Sequence, residues 1–399
     1  MELAERLGRL GSENAFTVLG KVMKLREQGK NIVSFCIGEP DFNTPENIKN
    51  AAINAINNNM THYSPSGGFP DFKRIIADYI SKTRGINVSE ENVCVTSGGK
   101  PIIYYTIHAL VNPGDEAIYP NPGYPIYESI INFVGGKPVP LPLLESREFS
   151  FDVGTLENIV TDKTKLIIIN TPQNPTGGLL SKEDLKAIAK IAVERNIFVL
   201  SDEIYSRILY EGEFNSISSL PGMQERTIIV DGFSKTYAMT GWRLGFGIAD
   251  KELMQHITNL ENNCESCTVT FNQYAGMEAL TGPQNEVDKM VQEFRERRDL
   301  IVDLLNDIKG FRCLKPKGAF YAFPNVTQAC KNLGFKDAEQ LQDYLLYKGD
   351  VAVLARTSFG LKNKDEKEEY IRLSYATSKE NIIEGLSRIK KAVENKKNI

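Results

Sequence analysis

Residues 227–235 read Thr-Ile-Ile-Val-Asp-Gly-Phe-Ser-Lys, a β-branched run of strand length followed by a polar turn. A solid β-branched run is typical of a strand that is buried on both faces, as in a parallel sheet covered by helices. The stretch therefore predicts an interior strand whose carboxyl end delivers Lys235 to the edge of a sheet.

Five more runs of strand length occur in the chain, and three of them also end in a polar, turn-rich segment. In open α/β sheets, ligands bind outside the carboxyl ends of the strands, so these end segments are expected to converge. The three runs with polar ends are residues 93–96, 166–170 and 197–201, and the other two are residues 117–119 and 244–248. Together they predict an α/β fold with a mostly parallel central sheet covered by helices.

The chain of 399 residues is long enough for two domains. Strand and helix patterns alternate from about residue 48 to 283, which predicts a large domain over residues 46–285. A charged helical segment near residues 285–308 leads out of it, and short strands with a last helix from Lys379 follow. We expect residues 286–399 to form a smaller α+β domain, with residues 1–45 packing on it.

The overall composition argues against several classes of protein. Charged residues make up 25% of the chain and the net charge is −4, so neither nucleic acid nor a membrane is expected as a partner. Six cysteines are too few for a disulfide scaffold in a chain of this length. The single Cys264-x-x-Cys267 pair and three histidines do not supply the close group of ligands that a metal site needs. We therefore expect no metal. Because residues 1–20 do not have the pattern of a secretion signal, we expect a cytoplasmic protein.

One group of residues at the strand ends suits a phosphate. Residues 98–100 (Gly-Gly-Lys) precede Pro101, which favours the first turn of a helix, and free backbone N–H groups at a helix start bind anions. Ser234 supplies a hydroxyl, and Arg243 supplies a planar cation that can bind phosphate through two nitrogens.

A second group suits an aromatic heterocycle with a positively charged ring nitrogen. Asp202, after an apolar strand, would be poorly solvated and would favour an ion pair. Tyr205 and Asn174 can bind a ring hydroxyl, and Tyr124 can stack on the ring face. Lys235 is the candidate nucleophile, because a lysine amine forms Schiff bases once burial or nearby cations lower its pKa. Each residue alone is also compatible with a turn, a helix cap or a loop, and only their convergence indicates a site.

Seven short segments between residues 37 and 377 carry a family resemblance. They are Ile37-Gly-Glu-Pro-Asp-Phe42, Tyr63-Ser-Pro65, Ser97-Gly-Gly-Lys100, Asn174-Pro-Thr-Gly177, Ser201-Asp-Glu-Ile-Tyr205, Ser234-Lys-Thr-Tyr-Ala-Met-Thr-Gly-Trp-Arg243 and Arg372-Leu-Ser-Tyr-Ala-Thr377. With these segments the chain resembles the class I family of fold-type I pyridoxal-phosphate (PLP) aminotransferases, in the aspartate/aromatic aminotransferase group. The resemblance implies the fold-type I arrangement, in which the N- and C-terminal parts form the smaller domain.

The resemblance assigns roles to individual residues, with PLP as the cofactor. Lys235 matches the lysine that forms the Schiff base, and Asp202 matches the partner of the pyridine nitrogen. Tyr205, which matches a contact to the ring hydroxyl, completes the implied catalytic set. Further cofactor contacts are implied for Gly99, Lys100, Ser234 and Arg243 at the phosphate, for Asn174 at the ring hydroxyl and for Tyr124 at the ring face.

The resemblance also implies contacts to the substrate and to a second subunit. Gly38 matches a backbone contact to substrate, and Arg372 matches the arginine that binds the substrate α-carboxylate, alongside Tyr124 and Asn174. Tyr63 matches a tyrosine that reaches the phosphate of the partner subunit's cofactor. A homodimer with shared active sites is therefore implied.

The implied activity is transfer of an amino group between an L-amino acid and a 2-oxo acid such as 2-oxoglutarate. In some relatives a lysine matching Lys100 meets a distal carboxylate, which favours an aspartate-like substrate, although the same lysine is compatible with a phosphate contact or a solvent-facing position. The alternatives are an aromatic or broad-range aminotransferase, a PLP-dependent C–S β-lyase, and a non-catalytic PLP-binding homologue or regulator. Arg356, near the expected substrate mouth, is compatible with either a substrate contact or an exposed position.

Overall fold

The structure is a computed structural model and describes residues 3–11 and 13–394. Its strands are β1 (Val33–Ser34), β2 (Val93–Thr96), β3 (Glu116–Asn121), β4 (Lys137–Leu144), β5 (Ser150–Phe151), β6 (Thr164–Asn170), β7 (Phe198–Asp202), β8 (Thr227–Gly232), β9 (Gly245–Ile248), β10 (Tyr321–Ala322), β11 (Val351–Ala352), β12 (Leu354–Ala355) and β13 (Ile371–Ser374). Its α-helices are α1 (Asn14–Glu27), α2 (Glu46–Asn57), α3 (Pro70–Arg84), α4 (Lys100–Leu110), α5 (Ile126–Phe133), α6 (Val153–Ile159), α7 (Lys182–Glu194), α8 (Lys251–Glu265), α9 (Thr270–Thr281), α10 (Asn285–Asn306), α11 (Thr327–Leu333), α12 (Ala338–Lys348) and α13 (Lys379–Glu394).

Eight strands form one large sheet in the order β2-β9-β8-β7-β6-β3-β4-β5. Neighbouring strands from β8 to β4 are parallel, whereas β9 runs antiparallel to both of its neighbours and β5 runs antiparallel to β4. The six predicted runs all lie in this sheet, as β2, β3, β6, β7, β8 and β9, and the predicted mostly parallel architecture is confirmed. The strands β4 and β5 are additions that the sequence patterns do not predict.

Helices cover both faces of this sheet. Alternate residues of β6 mark the two faces, since Leu166 and Ile168 belong to the apolar cluster that includes α4, α5 and α8. Ile167 and Ile169 belong to the cluster on the other face, which includes α6 and α7. Burial on both faces explains why the interior strands are continuous apolar runs in the sequence.

The two ends of the chain form a smaller α+β unit beside the sheet. β10, β13 and β12 form an antiparallel three-stranded sheet, and β1 pairs in parallel with β11, where Val33 is opposite Val351. A buried apolar cluster that includes Phe35, Phe320 and Leu386 fills this unit. The predicted fold-type I arrangement is therefore confirmed, while the domain boundaries at residues 45/46 and 285/286 stay predictions, and residues 1, 2, 12 and 395–399 lie outside the described part of the chain.

The strands that lead into the candidate site share one direction. β6, β7 and β8 are mutually parallel, and β2 is parallel to them because β9 lies antiparallel between β2 and β8. Their carboxyl ends therefore meet at one edge of the sheet, and the polar segments that follow them lie together.

Within the described residues, none of the helices combines the length and apolar character that a membrane crossing requires. The same residues contain no group of three or more His, Cys, Asp or Glu side chains arranged to hold a metal ion. All six cysteines are free thiols, with Cys264 exposed and Cys267 partly exposed. The cysteines therefore form no cross-links within the chain.

Candidate active site

A cavity of about 570 Å³ opens at the carboxyl edge of the large sheet. The ends of β6 and β7, the turn after β8, the start of α4 and residues of the smaller unit line it. Eleven of the twelve predicted site residues contribute to its wall, and Tyr63 does not. The eleven are Gly38, Gly99, Lys100, Tyr124, Asn174, Asp202, Tyr205, Ser234, Lys235, Arg243 and Arg372.

Lys235 lies three residues after the end of β8, in the wall of this cavity. Its Nζ donates a hydrogen bond of 2.6 Å to the Gly38 carbonyl oxygen. The pKa of the amine is lowered to about 8, chiefly by burial; the Glu39 carboxylate opposes this shift, and the Arg243 and Arg372 cations contribute to it. An amine with this pKa is partly neutral near pH 8, so it can act as a nucleophile or as a base.

Asp202 ends β7, and only 6% of its surface is exposed. Its Oδ2 accepts a hydrogen bond from the Tyr127 hydroxyl (2.6 Å), and its Oδ1 accepts one from the Ile204 N–H (3.3 Å). Burial raises the pKa of the carboxyl to about 6, and these two hydrogen bonds act in the opposite direction. A buried carboxylate of this kind favours a cationic partner in the cavity.

Two phenols meet at the side of the cavity. The hydroxyl oxygens of Tyr205 and Tyr321 are 2.7 Å apart, and both side chains are buried. Tyr321 also packs so closely on Gly38 that a Cβ at residue 38 would overlap the Tyr321 hydroxyl. Glycine at residue 38 therefore allows the smaller unit to approach the Lys235 side of the cavity.

Arg372, in β13, brings a buried guanidinium to the cavity. Nη1 donates to Asn174 Oδ1 (3.2 Å), and Nη2 donates to the Cys36 carbonyl oxygen. The guanidinium carbon lies 4.7 Å from the centre of the Tyr321 ring and 4.9 Å from that of Phe359. Its Nε has no hydrogen-bond partner among the described residues. Because a buried cation is costly without an anionic partner, the Arg372 guanidinium at the cavity wall suits an anionic ligand such as a carboxylate.

A candidate anion-binding corner lies at the start of α4, where Gly99, Ser234 and Arg243 line the cavity and Gly98 lies beside them. Gly98 has a φ of +91°, and a Cβ at this position would overlap the Arg243 guanidinium, so glycine lets the cation approach the loop backbone. Arg243 Nη2 donates to the Ser97 carbonyl oxygen at 3.1 Å. Backbone N–H groups, a hydroxyl and a guanidinium at one helix start are suited to a phosphate.

Glu13, which precedes α1, is a cavity residue that the sequence does not predict. Its Oε1 accepts hydrogen bonds from Lys100 Nζ and from the Tyr124 hydroxyl (3.0 Å). Lys100 Nζ also lies 5.6 Å from the centre of the Tyr124 ring. The Lys100 side chain is 44% exposed and that of Glu13 is 16% exposed. Lys100 is therefore engaged by a carboxylate of the chain itself at the mouth of the cavity.

Three residues that contact predicted site residues are absent from the sequence-based set: Glu13, Tyr127 and Tyr321. Tyr127 follows Tyr124 by three residues on the same segment, which is the only signal that the sequence offers for it. Tyr321 lies in the smaller unit and Glu13 lies in the N-terminal segment. Their proximity to the strand ends depends on how the chain ends fold back over the sheet.

Two predicted candidates lie away from the cavity. Tyr63 is 88% exposed. Arg356 is fully buried, and its Nε and Nη2 donate to the Glu366 carboxylate at 2.6 and 2.8 Å. Its Nη2 also donates to Asn121 Oδ1 at 3.0 Å. Both sequence-based alternatives for Arg356, a substrate contact and an exposed position, are wrong, because the Glu366 carboxylate holds the guanidinium inside the protein.

Known proteins match this chain over nearly its whole length. The family model for aminotransferase class I and II matches residues 30–389. Aspartate aminotransferase of Bacillus subtilis is 36% identical over 396 residues, which cover 99% of each chain. Aromatic-amino-acid aminotransferase 2 of Thermococcus litoralis is 38% identical over 401 residues, which cover 100% of each chain. The solved structure of aspartate aminotransferase from Thermus thermophilus with maleate has a TM-score of 0.92 at 33% identity and covers 98% of this chain and 100% of that one.

Proposed function

The chain belongs to the aminotransferase class I and II family, and from this membership we propose that it uses pyridoxal phosphate to move an amino group between an aspartate-like L-amino acid and a 2-oxo acid such as 2-oxoglutarate. One observation carries the proposal. A lysine with a lowered pKa, a buried carboxylate and a buried arginine all open onto one cavity, and these are Lys235, Asp202 and Arg372. They would supply, in that order, a proton carrier, a partner for a ring cation and a grip on the substrate.

The residues of the cavity fit pyridoxal phosphate. The anion-binding corner, with the start of α4 beside Ser234 and Arg243, would hold its phosphate. Asp202 would pair with the ring nitrogen, because a buried carboxylate needs a cationic partner. Tyr205 and Asn174 would contact the ring hydroxyl, and Tyr124 would stack on the ring face. When bound, the cofactor supplies an aldehyde that condenses with amines and a ring that accepts electrons.

Lys235 is the proposed proton carrier at the α-carbon of the substrate. Because the pKa of its amine is lowered to about 8, Nζ can both accept and release a proton near neutral pH. It would remove the proton from the α-carbon of the amino acid. In the reverse direction it would deliver a proton to the carbon that was the carbonyl carbon of the 2-oxo acid. The hydrogen bond from Nζ to the Gly38 carbonyl keeps the amine at the cavity.

The substrate would be held at its two ends. Arg372 would bind the α-carboxylate, which is supported by the position of this buried cation at the cavity wall and by the planar shape of the guanidinium. Lys100 would bind a side-chain carboxylate at the mouth of the cavity, which supports an aspartate-like substrate. The aspartate aminotransferase of Bacillus subtilis supports the same choice.

The aromatic-amino-acid aminotransferase of Thermococcus litoralis supports a second candidate, an aromatic or broad-range substrate.

A panel of amino donors with 2-oxoglutarate tests the proposed function. We expect glutamate to form fastest from aspartate, and Lys235→Ala to abolish the reaction. Lys190→Ala is the matched control, since Lys190 is an exposed lysine on α7. Faster glutamate formation from aromatic donors would favour the second candidate. Release of pyruvate and ammonia from cysteine-type substrates, without amino transfer, would contradict both in favour of a C–S β-lyase.

A homodimer with shared sites belongs to the same proposal. Four large apolar side chains between residues 53 and 63 are exposed, at 51%, 46%, 40% and 88%, and these are Ile53, Ile56, Met60 and Tyr63. A dense group of exposed apolar side chains of this kind suits contact with a second copy of the chain. In such a dimer Tyr63 would reach the phosphate in the partner's site.

A further inference from the structure

The carboxylate of Glu13 enters the cavity that is proposed to take the substrate. Its side chain is 16% exposed, and Oε1 accepts hydrogen bonds from Lys100 Nζ and the Tyr124 hydroxyl. It lines the same cavity as Lys235 and Arg372. A carboxylate of the chain is therefore bound at the place where the proposed function requires the side-chain carboxylate of the substrate.

The charges at this place decide which substrates can enter without rearrangement. Glu13 neutralises Lys100, so the Lys100–Tyr124 end of the cavity has no net positive charge while the pair is intact. A second carboxylate brought beside Glu13 would be repelled by it, because like charges at short range destabilise each other. A dicarboxylic substrate can therefore use Lys100 only after Glu13 has moved away, whereas an amino acid with a small neutral side chain needs no such movement.

Glu13 is attached in a way that permits this movement. It occupies the position before the first residue of α1, and its side chain makes no capping hydrogen bond to the helix. The first buried residue of α1 is Val18, so the first turn packs weakly on the protein. Asn14 Nδ2 donates to Ser358 Oγ at 2.8 Å, which holds the segment over the cavity. A rotation of the Glu13 side chain away from Lys100 would break this contact without unfolding α1.

We propose that Glu13 is a specificity-determining residue that occupies the side-chain carboxylate subsite formed by Lys100 and Tyr124. This inference rests on the proposed function. A dicarboxylic substrate must displace it. Glu13 therefore weakens the binding of aspartate-like substrates relative to those with neutral side chains, and it reduces the preference that Lys100 alone would give.

Glu13→Gln tests the proposal, because it keeps the size of the side chain and removes its charge. The probe is maleate, which has two carboxylates and no amino group, titrated into the holoenzyme by calorimetry. We expect maleate to bind roughly fivefold tighter to Glu13→Gln, the upper end of what a partly exposed ion pair contributes. The ratio of the KM for aspartate to the KM for alanine should fall by a similar factor.

Two controls separate this effect from general changes. Glu27→Gln removes an exposed carboxylate from the last position of the same helix and should leave maleate binding as in the wild type. Propionate, with one carboxylate, should gain no affinity from Glu13→Gln. In a Lys100→Ala background the gain for maleate should be smaller, because Glu13 then has no lysine to occupy and only its repulsion of the second carboxylate is left to remove. Equal unfolding midpoints check that the variants fold.

Unchanged or weaker maleate binding in Glu13→Gln would overturn the proposal. The proposal would also be overturned if the wild-type enzyme preferred a cationic amino acid and Glu13→Gln abolished that preference, because Glu13 would then bind the substrate side chain directly. The proposed function can fail separately: if wild-type enzyme transfers no amino group from aspartate while maleate binds tighter to the variant, the reaction is misassigned and the role of Glu13 stands.

Discussion

The Asp202 carboxylate is buried at the end of β7, and the Tyr127 hydroxyl donates a hydrogen bond to it at 2.6 Å. Burial raises the pKa of Asp202 to about 6, and the hydrogen bond from Tyr127 is the largest opposing influence. Only the ionised carboxylate can pair with a positively charged ring nitrogen. We therefore expect Tyr127 to act as a positioning residue that favours the ionised form of Asp202.

Tyr127→Phe is expected to move the acid limb of the pH profile. Without the hydroxyl the pKa of Asp202 rises above 6, and activity that needs the ionised form is present above this pKa and lost as the pH falls through it. The acid limb of kcat/KM should therefore shift upwards by about one pH unit, since a hydrogen bond to a charged group contributes about 1.5 kcal/mol and one pKa unit is about 1.4 kcal/mol. A pH–rate profile with the preferred donor measures the shift.

Tyr347→Phe is the control for this experiment, because Tyr347 is a partly exposed tyrosine on α12 and does not line the cavity. Its acid limb should coincide with that of the wild type. An acid limb that stays in place in Tyr127→Phe would show that Tyr127 does not control the ionisation of Asp202.

Residues of the site could be predicted from sequence where they directly follow a strand or carry a family motif. Lys235 and Asp202 follow continuous apolar runs, so their place at the sheet edge is encoded locally. Glu13 and Tyr321 gain their roles only when distant parts of the chain meet, and a single sequence contains no local pattern for such contacts. The sequence shows Arg356 as a cation, but its partner Glu366, ten residues further along the same loop, decides its position.

At the scale of elements, Arg356 fixes the loop that follows β12. Its guanidinium is fully buried and binds both oxygens of Glu366, and it also donates to the Gly360 carbonyl oxygen at 2.9 Å. Through Asn121 Oδ1 it joins this loop to the end of β3. Two segments, the loop after β12 and the end of β3, therefore depend on one buried cation.

Arg356→Ala is expected to destabilise the protein without changing its choice of substrate. Removing one partner of a buried ion pair leaves the other charge uncompensated, which costs about 3 kcal/mol. Urea denaturation should show this loss in the free energy of unfolding, while the ratio of KM values for aspartate and alanine stays the same. Lys289→Ala, which breaks an exposed pair with Glu286, should cost less than about 0.5 kcal/mol. A change in substrate ratio would place Arg356 in the site after all.

The strand β4 shows why part of the sheet could not be predicted. Residues 137–144 contain prolines at the alternate positions 138, 140 and 142, and proline in a sequence argues against an interior strand. Alternate residues of a strand direct their N–H groups to the same side, so the missing donors all fall on one side and the pairing with β3 uses the intervening residues. On the other side β5 pairs only with Leu143 and Leu144, beyond the last proline.

At the scale of the whole molecule, the cavity combines residues from both parts of the chain. Lys235 and Asp202 come from the large sheet, Arg372 comes from β13 of the smaller unit, and Glu13 comes from the N-terminal segment. The remaining predicted residue, Tyr63, is 88% exposed and lies outside the cavity of its own chain. If Tyr63 completes a cavity of this kind, that cavity belongs to another molecule, so subunit exchange tests its role directly.

Mixing two defective variants should restore activity if Tyr63 serves the partner subunit. Lys235→Ala and Tyr63→Ala homodimers each carry a defect in both sites. In a mixed dimer, one site has both defects and the other has neither, so random mixing leaves about one quarter of all sites intact in a two-fold dimer. Coexpression of the two chains with different affinity tags, followed by an amino-transfer assay, measures the recovery.

Mixing Lys235→Ala with Asp202→Ala provides the matched control. Both of these residues line the cavity of their own chain, so every site of a mixed dimer lacks one of them and no recovery is expected. A monomeric mass in solution, or equal recovery in the two mixtures, would contradict the shared site. Recovery in the first mixture alone requires that Tyr63 crosses to the partner's site while Lys235 and Asp202 act within one chain.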